Sequence, residues 1–96
     1  MKNAKERMIQ AEKDYLAVKK DNEKLNEVLS FLTELKDRLD PLQEYYFTDW
    51  LNDMVDLEKE DFTNQVMNED SIYEEIAEQY EVVKEILLVC AQYINR

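Results

Sequence analysis

The chain has no histidine, no glycine, and only one proline and one cysteine in 96 residues. Without histidine it has no imidazole base near neutral pH, no Ser-His triad and no histidine metal ligand. Without glycine it has no phosphate-cradling loop of the Walker or dinucleotide type. Turns that need a positive φ must then fall to Asn or Asp, and tight-turned β architectures are disfavoured. Cys90 stands alone, which excludes an intrachain disulfide and a cysteine zinc cluster. Its place in an apolar stretch suggests a buried, inert thiol in a reducing cytosol. The longest uncharged run, Ile86–Asn95, is too short to span a bilayer. Residues 1–15 are charged throughout and do not read as a signal peptide. These absences point to a cytoplasmic protein with no cofactor and no metal.

What the chain has in excess is negative charge, and that charge is segregated. Residues 40–82 hold fourteen Asp and Glu against one base, Lys59, so this block carries −13 of a chain whose total is −11. The same block holds Tyr45, Tyr46, Phe47, Trp50, Phe62, Tyr73 and Tyr80. Phosphate contacts require Lys and Arg, so direct binding to nucleic acid or to anionic lipid is disfavoured. A basic protein surface is the expected partner.

A hydrophobic content of 45% supports a folded core, and the length suits one domain. The pattern predicts an all-α fold of three helices. Two long antiparallel helices form its body, and a shorter helix with an irregular connection caps one end. Helix 1 is expected over about 2–39, because Met8, Ala11, Tyr15, Val18, Asn22, Leu25, Leu29 and Leu32 recur at alternating spacings of three and four. Asn22 takes a core-type place in that row, where a polar residue either fixes register or marks a solvated point. Asp40-Pro41 is expected to end helix 1, with Asp40 capping a second helix over about 41–55 and Gln43 completing a capping box. Residues 56–67 show no clean period and read as a connection that can hold a short helical turn. Helix 3 is expected over about 69–95, capped by Asn68, with Glu69 and Asp70 in its first turn. Ile72, Ile76, Tyr80, Val83, Leu87, Cys90 and Ile94 form its seam, and Ile86, Leu88 and Val89 thicken the apolar side toward an enclosed end. Packed antiparallel, helix 3 covers helix 1 down to roughly residue 13. A second copy of the chain is then one way to cover Met8 and Ile9, giving a homodimer through helix 1.

Three runs of residues carry a family resemblance. They are Leu42-Gln43-Glu44-Tyr45-Tyr46, then Trp50 with Asp53, then Val66-Met67-Asn68-Glu69-Asp70-Ser71-Ile72-Tyr73. The chain thereby resembles the small bacterial family catalogued as domain of unknown function 4298. The resemblance implies an all-α domain and supplies no activity. Where that family often places basic residues and glycine, between 54 and 66, this chain has Asp56, Glu58, Glu60 and Asp61 with Lys59.

The candidate partner-binding residues are Tyr46, Asp49, Trp50, Asp53, Asp56, Glu74, Glu78 and Glu81. Tyr and Trp are enriched in binding hot spots, but large rings equally serve as the filling of a small core. Glu74, Glu78, Glu81 and Glu85 recur at helical spacing. Like charges so placed cost about 0.2–0.5 kcal/mol per pair in a lone helix, and the bland alternative is a solvated face. The carboxylate row could also imitate a line of phosphates, giving an inhibitor of a nucleic-acid-binding protein. An enzymatic alternative is a Mg²⁺-dependent all-α nucleotide pyrophosphohydrolase, using Glu75/Glu78, Glu78/Glu81 and Glu34/Asp37 as carboxylate pairs. The order of those pairs is reversed from that of such enzymes and no lysine-rich phosphate pocket accompanies them. The expectation is a non-enzymatic acidic interaction protein.

Overall fold

The computed structural model describes residues 3–96. It is all-α, with two long helices and a short one between them: α1 (Ala4–Thr48), α2 (Trp50–Asp56) and α3 (Ser71–Ile94). A 3₁₀ turn at Gln65–Met67 lies in the connection between α2 and α3. The expected first residue of helix 1, residue 2, lies outside the described residues.

The chain divides into two units, Met1–Lys36 and Asp37–Arg96. The described part of the first is Asn3 and nearly the first three-quarters of α1. Asn3 caps it: the Asn3 side-chain oxygen accepts from the Glu6 backbone N–H at 2.9 Å, which satisfies one of the donors a helix start leaves open. Met8, Tyr15, Val18, Leu25 and Leu29 are all exposed, Met8 at 72% and Leu25 at 63%. Asn22 is exposed as well, and its carbonyl accepts from the Asn26 side chain at 2.9 Å.

In the second unit, α1 does not stop at Asp40. It runs through Pro41 to Thr48, so Asp40 and Gln43 are helix-interior residues and form no capping box. The proline removes only one intrahelical bond, the one to the Asp37 carbonyl, and Pro41 and Asp37 are both exposed, so water can satisfy that oxygen. The interruption comes at Asp49 instead. There the Thr48 hydroxyl donates back to the Glu44 carbonyl at 2.6 Å, a bond that competes with the helical ladder and bends helices. The break is slight, because Asp49 still donates to the Tyr45 carbonyl and accepts from the Asp53 N–H. The separate helix expected over 41–55 is therefore the end of α1 together with the seven residues of α2.

The connection turns without glycine and without any positive φ among the described residues. Asn side chains stand in for left-handed backbone. Asn64 accepts from the Val66 N–H at 3.1 Å, and Asn68 accepts from the Asp70 N–H at 2.9 Å. Asn68 thus holds the turn ahead of α3 and does not cap it. The helix starts at Ser71, with Asp70 in the cap position and no side-chain capping bond.

Ile72, at the start of α3, is the one buried residue among those described, at 2% exposure. It lines a hollow with Leu42, Gln65, Val66 and Ser71. A second hollow runs between Leu39 and Gln43 of α1 and Tyr73, Ile76, Ala77 and Val83 of α3. Packing within this unit is thus concentrated on the first half of α3. Leu87, Leu88, Val89 and Ile94 stay exposed, and so does Cys90. The enclosed C-terminal end and the buried thiol expected from the seam are not found, because the residues around these two hollows reach α3 only as far as Val83. Among the described residues, no helix is long and apolar enough to cross a membrane.

Candidate functional site

The aromatic cluster spans the end of α1 and the start of α2. Tyr46, Phe47 and Trp50 lie within about one helical turn, and their rings meet: Tyr46 and Phe47 edge-on at 5.3 Å, Tyr46 and Trp50 tilted at 5.4 Å. Tyr45, Tyr46 and Trp50 are half-buried, whereas Phe47 is 74% exposed. The Trp50 indole N–H donates to the Val66 carbonyl at 2.8 Å. Trp50 therefore ties the start of α2 to the 3₁₀ turn, a structural duty, while its neighbour Phe47 offers an apolar face to solvent.

Asp53 is not a free carboxylate on the surface. It is half-buried and accepts the Tyr45 phenol at 2.8 Å. This bond, with lesser help from desolvation and from the charges of Asp53 and Asp49, raises the Tyr45 pKa above its ordinary value. Asp49 and Asp56 are exposed at the two ends of this stretch.

The glutamates of α3 form a second group. Tyr73, Glu74, Glu75, Ala77, Glu78 and Glu81 line one shallow, open hollow along the helix. Glu74, Glu75, Glu78 and Glu81 are all exposed. Glu81 pairs with Lys84 at 3.0 Å, and the Lys84 ammonium also lies 4.8 Å from the Tyr80 ring centre. The hydrogen bond to Glu81, then its charge, raise the Lys84 pKa. Glu74, Glu75 and Glu78 make no ion pair among the described residues.

Of the eight candidate residues, the structure thus gathers Tyr46 with Trp50 in one cluster and Glu74, Glu78 and Glu81 in another. Among the described residues no hydrogen bond or ion pair joins the two groups. Sequence reasoning missed Tyr45 as the partner of Asp53, and Tyr73 as a wall of the acidic hollow. The first had a signal, since residues eight apart on a helix lie within about 80° of one face. Tyr73 had one too: Tyr73, Ala77 and Glu81 step along one helical row at intervals of four. Among the described residues, no three carboxylate or thiol side chains converge closely enough to ligate a metal ion.

A family model described as a domain of unknown function (DUF4298) matches residues 8–89, which includes both clusters. Neither the curated proteins nor the solved structures compared with the chain give a match.

Proposed function

Because the chain belongs to the DUF4298 family, whose description assigns no activity, we propose a function from its surface chemistry: it is a non-enzymatic interaction protein of the bacterial cytoplasm that presents an acidic, aromatic-bearing surface to a basic protein partner. The observation that carries this reading is the open hollow on α3, where Glu74, Glu75, Glu78 and Glu81 stand beside the exposed ring of Tyr73. Among the described residues, three of these carboxylates have no cation beside them, so a partner's Lys or Arg meets charge that the chain has not already neutralised. Tyr73 adds contact area that a stiff, amphipathic ring supplies at low entropic cost. The segregation of −13 into residues 40–82 supports the same reading, since charge serving solubility alone has no need to be concentrated. An exposed, unpaired thiol at Cys90 suits a reducing compartment.

Capture from a cell extract on the immobilised chain, eluted with a salt gradient, tests the proposal. Basic proteins released as ionic strength rises, and lost when Glu74, Glu75 and Glu78 are changed together to Gln, are the expected result. Retained proteins that are neutral or acidic, or that ignore both salt and the substitutions, overturn it. If the captured proteins are nucleic-acid binders and duplex DNA displaces them, the row of glutamates is acting as a phosphate mimic, the more specific form of the same surface.

A further inference from the structure

We infer that the first unit of the chain forms a parallel, in-register coiled coil with a second copy of itself. The pairing does not depend on what the acidic surface binds. Met8, Ala11, Tyr15, Val18, Asn22, Leu25 and Leu29 alternate at spacings of three and four, those of a two-stranded seam. All seven are exposed along a continuous helix. An apolar stripe of this length on a helix calls for a partner surface.

The residues that flank the seam say what the partner is. On one side lie Arg7, Asp14 and Asp21; on the other, Glu12, Lys19 and Asn26. In a parallel, in-register pair each residue of the first flank faces the residue five places later on the other copy. Arg7 then meets Glu12, Asp14 meets Lys19, and Asp21 meets Asn26, on both sides of the dimer. Each pairing is attractive or neutral, and none sets like charges together. The same register places Asn22 opposite Asn22, where the two amides hydrogen-bond to each other.

Antiparallel alignments lose this match. With Met8 opposite Leu25, two Glu12–Lys19 pairs are gained, but Asp14 faces Asp21 twice and Asn22 lies against Ala11. With Met8 opposite Leu32, Lys19 faces Lys19, Asp21 faces Asp21, and Asn22 lies against Val18. Both strand the Asn22 amide against an apolar side chain. The flanking charges are thus complementary to a second copy of this chain in one orientation and one register.

The full chain is tested by sedimentation equilibrium and by cross-linking. The expected mass is twice the 11.6 kDa of one chain. Leu25→Asp should reduce it to that of a single chain, with Trp50 fluorescence reporting that the second unit keeps its fold. Lys19→Glu should weaken the dimer, because the new carboxylate faces Asp14 of the other copy, and adding Asp14→Lys should restore it. In a Cys90→Ser background, Met8→Cys should form an interchain disulfide on oxidation, since parallel strands bring the two copies of position 8 together. A chain that is monomeric at every concentration overturns the inference. So does a dimer that survives Leu25→Asp, one that Asp14→Lys fails to rescue, or one in which position 8 does not cross-link.

Discussion

The Trp50 indole nitrogen reaches the Val66 backbone oxygen at 2.8 Å, sixteen residues along the chain. That bond ties the connection between α2 and α3 back to the start of α2, and Val66 shares a hollow with Ile72. Replacing Trp50 with Phe keeps a ring near Tyr46 but removes the donor. The expected loss is about 1 kcal/mol, the usual net worth of such a bond. Urea unfolding followed by circular dichroism measures it, and an unchanged midpoint would mean the bond is not made in solution.

Ile72 is the natural second probe, because it is the buried residue of the unit. Ile72→Ala should cost about 2–5 kcal/mol, the range for truncating a buried aliphatic side chain. A substitution of equal size at the exposed Leu87 should cost far less. Thermal melts of the two variants side by side check the contrast, and equal effects would place the core elsewhere.

Pro41 lies inside α1, where an alanine would restore the bond to the Asp37 carbonyl. Proline costs about 3 kcal/mol relative to alanine in a helix interior. Pro41→Ala should therefore raise the melting temperature and leave the helical signal equal or greater. A helix that ended at Asp40 would gain nothing, so a lower melting temperature would speak for a true break there.

The Tyr45–Asp53 bond predicts a response to alkali. The folded pKa of Tyr45 is raised above its ordinary value, first by that hydrogen bond. Its contribution is fully present below the unfolded phenol's pKa of about 10, and is lost as pH rises through the higher folded value. The stability advantage of the native chain over Tyr45→Phe should accordingly be constant up to about pH 9 and shrink by about pH 11. Denaturation midpoints at the two pH values decide the matter, and an advantage that grows with alkali has the wrong sign for this bond.

For the proposed acidic surface, a change to the α3 glutamates should have effects of opposite sign on folding and on binding. Glu78→Gln relieves repulsion from Glu74 and Glu81 one turn away, so the free protein should become slightly more stable. Affinity for a basic partner should fall in the same variant. A change that lowered both together would show that Glu78 supports the fold.

Much of the fold was legible because helical periodicity is a strong local signal. The rows of α1 and α3 lie on helices, as their spacing predicted, and a short helical turn falls at Gln65–Met67, although most of the α3 seam stays exposed. The boundary at Pro41 was misread, because proline's rule is statistical and an exposed helix can give up one bond to water. The break at Asp49 falls beside the Thr48 hydroxyl's bond to the Glu44 carbonyl, a side-chain rotamer that no spacing records. Burial was misjudged for Cys90 and its neighbours, since periodicity marks an apolar face without saying whether anything covers it. In the candidate site, the glutamate row followed from its spacing alone. The roles of Trp50 and Asp53 did not, because each is set by a tertiary or two-turn contact.

The path from α2 to α3 is built wholly from backbone angles that almost any residue can adopt. Its side-chain hydrogen-bond anchors are few: two asparagines and one tryptophan. Between them, from Glu58 to Thr63, side chains can change sign without disturbing the path. Such a segment tolerates a change of charge while its anchored ends hold, so the α3 glutamates keep their place whatever it carries.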